Sequence, residues 1–209
     1  MGSKRTFASA LDWPGWSRSG KGETAAIEAL AAYGSRYRSA IGRGLVKLPP
    51  DAEEMIKVVE TTAGDASTEF GVPGKPAALE LKAPAHAELE RLLGLLAACW
   101  TAFDGAVATA PAELISGPRG GGRDRDKVAA HVIDAEGAYA GKLGVRLRAP
   151  AFADTDAVAA FREAMVAGVR AAAETWKQGE RGWPARYAIR RIAWHALDHA
   201  WEIEDRSPR

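Results

Sequence analysis

The sequence predicts a mainly α-helical protein: an up-down-up-down four-helix bundle preceded by a small α/β unit of β-α-β order. Three observations predict it. The chain is rich in alanine, and from residue 84 onward apolar residues recur at helical spacing over four long stretches. Before residue 76, β-branched and aromatic residues gather in short runs bounded by proline and glycine. The stretch from Gly71 to Pro76, with two prolines and two glycines, separates the two characters, so residues 1–76 are read as one unit and 77–209 as the bundle.

Taken in order, residues 5–16 read as a strand running into a turn at Pro14-Gly15, and Ser17 to Gly22 as a polar link. A helix follows over about 23–41, with Ile27, Leu30, Gly34, Tyr37 and Ile41 on one stripe. Pro49-Pro50 breaks the chain. Residues 54–61 alternate in part and carry Val58 and Val59, which predicts a second strand, and 68–70 a third. Beyond the linker, helix one covers about 84–110, with Pro84 suited to a first helical position. Helix two covers about 123–143, with Val128, His131, Ala135, Tyr139 and Leu143 on its apolar side. Helix three covers about 155–178, with Asp154 or Thr155 as N-cap, and helix four about 184–205 behind Gly182-Trp183-Pro184. Short connections between the later helices favour antiparallel neighbours.

Composition narrows the function classes. The 209 residues can bury a core, and a net charge of +1 gives no sign of nucleic-acid or membrane binding. The single cysteine, Cys99, excludes an internal disulfide and fits a reducing cytoplasm. No uninterrupted apolar run approaches the ~20 residues of a membrane span, and no secretory signal is visible. Residues 1–6 match the N-myristoylation pattern formally, but the residues that follow read as a strand. A cytoplasmic enzyme or binding module acting on a small molecule is the expectation.

Two of the four histidines, His195 and His199, are spaced i and i+4 on helix four. That spacing places both imidazoles on one side of the helix, where neutral ring nitrogens can share one metal ion; two plain surface histidines are the alternative. In an up-down-up-down bundle the starts of helices two and four lie side by side. His131 then falls ~12 Å along helix two, and His195 and His199 ~16–22 Å along helix four, near enough to share a level. His86 lies at the far end of helix one. The sector of His195 and His199 also carries Arg191, Asp198 and Glu202, groups that are costly to turn inward unless something satisfies them. Carboxylates that accept from ligating histidines would do so.

Two resemblances follow from these residues. Phe7 to Gly15 with its Asp-x-Pro-Gly turn at Asp12, then Gly20 and a Glu/Ala-rich helix, resembles the HicB-like fold, although Gly22 stands where a capping threonine is expected. That resemblance implies an antitoxin-type module that binds a partner protein. His131-Val-Ile-Asp-Ala-Glu136-Gly-Ala-Tyr139 with Leu143-Gly144, then Arg191-Ile-Ala-Trp194-His195-Ala-Leu-Asp-His199, resembles the DinB/YfiT-like superfamily over roughly 84–205. That resemblance implies a divalent metal, zinc or nickel, held by His131, His195 and His199, and a homodimer. It also implies a metal-dependent enzyme, a transferase or hydrolase, in which the metal assists attack by a low-molecular-weight thiol of the mycothiol or bacillithiol type.

Three protein ligands leave a metal position open, which is the catalytic pattern. Helix four lacks the glutamate of His-Glu-x-x-His, which argues against a zincin-type protease. The remaining catalytic candidates are Asp198, Glu202 and Arg191: Asp198 either orients a histidine or pairs with Arg190 or Arg191. The loop 116–124 carries Arg119 and Arg123 ahead of a helix N-terminus, a candidate site for the anionic group of a thiol cofactor or substrate, or else a solvated loop. Cys99 reads as a core residue, and Trp194 and Trp201 as packing against the N-terminal unit or a second subunit.

Overall fold

Helices dominate the computed structural model, which describes residues 1–2, 4–42, 47–117 and 122–208. The chain opens with a hairpin: β1 (Thr6–Ser9) and β2 (Ser17–Gly20) pair antiparallel, Thr6 opposite Gly20 and Ser9 opposite Ser17. Gly15 adopts φ 96° in the connecting turn, a conformation that glycine takes without a Cβ penalty. The turn is fixed from below. Tyr37 donates its hydroxyl to the Pro14 carbonyl at 3.0 Å, and Trp16 stacks on Tyr37 while its indole N–H donates to the Leu30 carbonyl at 2.8 Å.

Four details of the N-terminal expectation are corrected. The polar link after Trp16 is itself the second strand, because pairing with β1 and a Ser17–Ser9 hydroxyl hydrogen bond replace side-chain propensity as the stabilising factor. The single helix over 23–41 is two, α1 (Glu23–Ala32) and α2 (Gly34–Ile41), broken at Tyr33, whose ring lies 5.0 Å from Trp201. Residues 54–61 form no strand, since Val58 and Val59 are exposed and no ladder partner is present among the described residues, and Ala66–Phe70 is a short helix, α3, capped by Asp65. The order is therefore a β-hairpin followed by helices, not β-α-β.

A single 3-10 turn (Ala78–Leu81) leads into four long helices: α4 (His86–Thr109), α5 (Arg125–Lys142), α6 (Thr155–Thr175) and α7 (Ala185–Arg206). Each packs on the other three, and α7 is buried on nearly every side. Directions follow from contacts at the ends. Arg186 pairs with Glu88 where α7 and α4 both begin, and at the other end the Ile115 N–H, just past α4, donates to the Arg206 carbonyl. α4 and α7 therefore run the same way. α5 runs against α7, since the Trp183 N–H before α7 donates to the Lys142 carbonyl at the end of α5. α6 runs against α4, with Arg162 on Asp104 and Arg170 on Glu90.

The up-down-up-down order is thus overturned: α5 and α6 are parallel. The reason is the connection. The residues from 143 to 154 run back along α5 instead of turning tightly, and Gly137 is where they cross closest, since a Cβ there would meet Ala149 Cβ at 2.9 Å. A dozen residues of extended chain reach up to ~40 Å, more than the return path requires.

One continuous core joins the hairpin region to the helices. Trp16, Leu30, Tyr37 and Ile41 pack with Leu92, Leu96, Cys99, Phe103, Met165, Ile189, Ile192 and Leu197. By length and composition α4 is apolar enough to cross a membrane, yet its leucines, Cys99 and Phe103 face this core. Two buried ion pairs sit at the margins, Arg190 with Glu80 and Arg162 with Glu136, the latter carboxylate also accepting the Trp100 indole N–H at 2.7 Å.

Candidate metal centre

His131 lies in the second turn of α5, and His195 and His199 lie in the second half of α7. Because α5 and α7 are antiparallel, the start of one is level with the end of the other, and the three imidazoles meet. Ring centroids are 5.2 Å apart for His131 and His195, 5.0 Å for His131 and His199, and 4.6 Å for His195 and His199. One ligand nitrogen from each lies within 4.8 Å of the others. The expected convergence is present, although it arises from opposed helices and not from helices starting side by side.

The donor set fits a divalent ion. Nitrogens around a tetrahedral zinc sit ~3.4 Å apart for bonds of ~2.05 Å, so ring adjustments of about 1 Å would close the site. His195 is 7 % exposed, and its Nδ1 is buried without a hydrogen-bond partner, an atom that protein groups leave unsatisfied. Burial, then the neighbouring His199 and His131, push His195 well below the usual histidine range; burial, then His199 and Arg123, lower His131. Both rings are therefore neutral near pH 7, the form that ligates. His199 Nδ1 lies 2.7 Å from Glu202 Oε2, leaving Nε2 as its free nitrogen, and Glu202 Oε1 accepts from Arg206 at 2.8 Å. That pairing holds Glu202 below its ordinary carboxylate range, with the His199 hydrogen bond as the main cause.

The other candidates separate. Asp198 is engaged in an ion pair with Arg18 of β2 at 2.9 Å, with His199 as a second, weaker electrostatic neighbour; it pairs with neither Arg190 nor Arg191. The physical reason is the hairpin, which lies against that side of α7 and brings a guanidinium that sequence spacing does not reveal. Arg191 stays beside the centre: it donates to the Tyr139 hydroxyl at 3.1 Å and lies 4.9 Å from the Trp194 ring. Arg123 is exposed, with its carbonyl accepting from Arg206 at 2.7 Å, whereas Arg119 lies outside the described residues. Cys99 is fully buried against the Pro14 carbonyl, and burial pushes its thiol up, which makes it a core residue. His86, exposed at the start of α4, takes no part.

Sequence reasoning missed an aromatic wall on one side of the centre. Tyr139 lies 5.7 Å from the His195 ring and 5.1 Å from Trp183, which in turn packs on Tyr187 at 5.0 Å. Trp194 meets Phe7 of β1, as packing against the N-terminal unit requires, but it also lies 5.9 Å from His195. The available signal was the recurrence of Tyr187, Arg191 and His195 at i+4 intervals, which sets them along one side of α7, with Trp183 just ahead of its N-cap. Comparison with known protein families, curated proteins and solved structures finds no match for this chain.

Proposed function

We propose that this protein is a metal-dependent enzyme of DinB-like type in which His131, His195 and His199 hold a divalent ion, zinc first and nickel second, and a low-molecular-weight thiol is the reacting partner. The observation that supports the reading is the trio of imidazoles from two opposed helices, with their nitrogens within 4.8 Å and two of the three rings partly open to solvent. When bound, such an ion supplies Lewis-acid activation of a thiol or water at neutral pH. The chain's own groups do the rest. His195, buried beside the other two imidazoles and Arg191, and His131, half-buried beside His199 and Arg123, bind protons less readily than a free histidine and stay neutral near pH 7. Glu202 accepts the Nδ1 proton of His199 and so fixes that ring's tautomer and direction. The aromatic wall of Tyr139, Trp183 and Tyr187 limits access of water on one side. A transferase activity, moving an electrophilic group onto the thiol, is the reaction class this arrangement suits best. The partner-binding alternative is less well supported, since the hairpin and α2 are tied into the common core through Trp16 and Tyr37.

The test is elemental analysis of tag-free protein followed by thiol consumption with a panel of electrophiles. One equivalent of zinc or nickel is expected, with metal-dependent thiol loss abolished in His195→Ala. A folded protein that binds no metal, or turnover unchanged in His195→Ala, would end the proposal.

A further inference from the structure

Arg191 is a buried charge that the described residues leave short of partners. It is 5 % exposed, and its Nε and Nη1 are buried with no hydrogen-bond partner. Its neighbour Arg190 is buried too, but Arg190 is matched by Glu80 and by the carbonyls of Pro73 and Lys75. Among the described residues no carboxylate pairs with Arg191; its polar neighbours are two phenols, Tyr139, which accepts a hydrogen bond from Nη2 at 3.1 Å, and Tyr187 beside it. The vacancy is not isolated. Trp194 Nε1 and His195 Nδ1 are also buried without partners, so half of the eight such side-chain atoms among the described residues belong to three residues spaced i, i+3 and i+4 on one face of α7. Guanidinium and indole nitrogens only donate, whereas the His195 nitrogen belongs to the metal centre already described. The face therefore presents three unpaired donor nitrogens, on Arg191 and Trp194, and a positive charge that only phenols meet, a combination that is costly to bury.

We infer that Arg191, with Trp194 Nε1 beside it, forms an anion subsite next to the three histidines, and that the molecule it holds is a small carboxylate. Flat surroundings favour a carboxylate over a tetrahedral anion. The guanidinium carbon lies 5.3 Å from the Tyr139 ring and 4.9 Å from the Trp194 ring, so a planar anion received coplanar with the guanidinium would be flanked by aromatic groups. A ligand anchored there by its carboxylate would extend toward His195, the ring shared by the aromatic wall and the metal centre. The inference deepens the metal-enzyme reading by naming its substrate class, and it rests on that reading only for the ligand's role as substrate. Arg191 is then a binding residue, not a catalytic one.

The experiment titrates benzoate, and separately inorganic phosphate, into the full-length metal-free protein, read by tryptophan fluorescence and calorimetry. Trp194 and Trp183 lie where a bound anion would change their emission. Saturable benzoate binding is expected, at least tenfold weaker in both Arg191→Met and Arg191→Lys. Arg191→Met is expected to melt no lower than wild type without benzoate, which separates lost binding from lost folding; if it fails to fold, Arg191→Lys carries the comparison. Absence of saturable benzoate binding, or unchanged binding in a folded Arg191 variant, overturns the inference, and tighter binding of phosphate than of benzoate overturns the carboxylate assignment. The two readings fail separately. Benzoate binding without zinc uptake removes the metal centre alone, and zinc uptake without benzoate binding removes the anion subsite alone.

Discussion

Replacing Glu202 by alanine isolates what a single supporting carboxylate contributes to the centre. Its Oε2 lies 2.7 Å from His199 Nδ1, and about a third of the Glu202 side chain is exposed. Removing it frees His199 to rotate and to place its proton on either nitrogen, so a fraction of molecules presents N–H where a lone pair is needed. Loss of such a partner weakens metal binding by about 10–100-fold, or about 1.4–2.7 kcal/mol. Partial exposure places Glu202→Ala in the lower half of that range, at about 10–30-fold. The fold itself is held, because Arg206 keeps the carbonyls of Ile115 and Arg123 at 2.8 and 2.7 Å. Zinc affinity is read by competition with a chromogenic chelator, with Asp198→Asn as the control, since Asp198 serves Arg18 and its loss should leave zinc binding within about twofold of wild type. A Glu202→Ala protein that binds zinc as tightly as wild type would refute the argument that this carboxylate orients a ligand.

Acidification should destabilise the metal-free protein. His195 and His131 titrate below their unfolded value of about 6.5. The unfolded chain therefore takes up protons first, and stability present above pH ~6.5 is lost as pH falls toward the folded pKa values, by up to ~1.4 kcal/mol per pH unit per group. Melting temperatures from pH 7.5 to 5 check this, and a flat profile would contradict the buried neutral state. Glu80→Ala strands the buried Arg190 guanidinium and should cost about 3 kcal/mol in urea unfolding, the low end for a broken buried pair because two carbonyls remain to it. A loss below about 1 kcal/mol would show that those carbonyls suffice. Gly15→Ala forces φ 96° on an alanine and sets its Cβ 2.9 Å from both Cys99 Sγ and Leu197 Cδ1. Strain and overpacking together should lower stability by about 2–5 kcal/mol, and a neutral result would mean that the hairpin is not seated on α4 and α7.

The helices were legible in the sequence because their information is local. Apolar spacing marks α4 to α7 within a few residues of their observed ends, and Pro184 and Asp154 sit at the two N-caps. The same spacing puts His195 and His199 on one face, and His131 on a second helix. The Pro14-Gly15 turn and the buried place of Cys99 could be read the same way. Strands were less legible: Val58 and Val59 have β propensity but no partner, whereas the polar Ser17–Gly20 becomes a strand because β1 lies beside it. Helix direction was illegible, because periodicity is the same read either way along a helix axis. The path of residues 143 to 154 along α5 made α6 parallel to it and left α5 opposed to α7. Partner choice was also decided in space: Asp198 is drawn to Arg18, Arg190 to Glu80, and Arg191 is left unmatched, although all three sit within nine residues of one helix. Sequence specifies which side chains share a face, since that depends on the pitch of one helix. What stands opposite that face depends on chain segments fifty to almost two hundred residues away, and only folding brings those together.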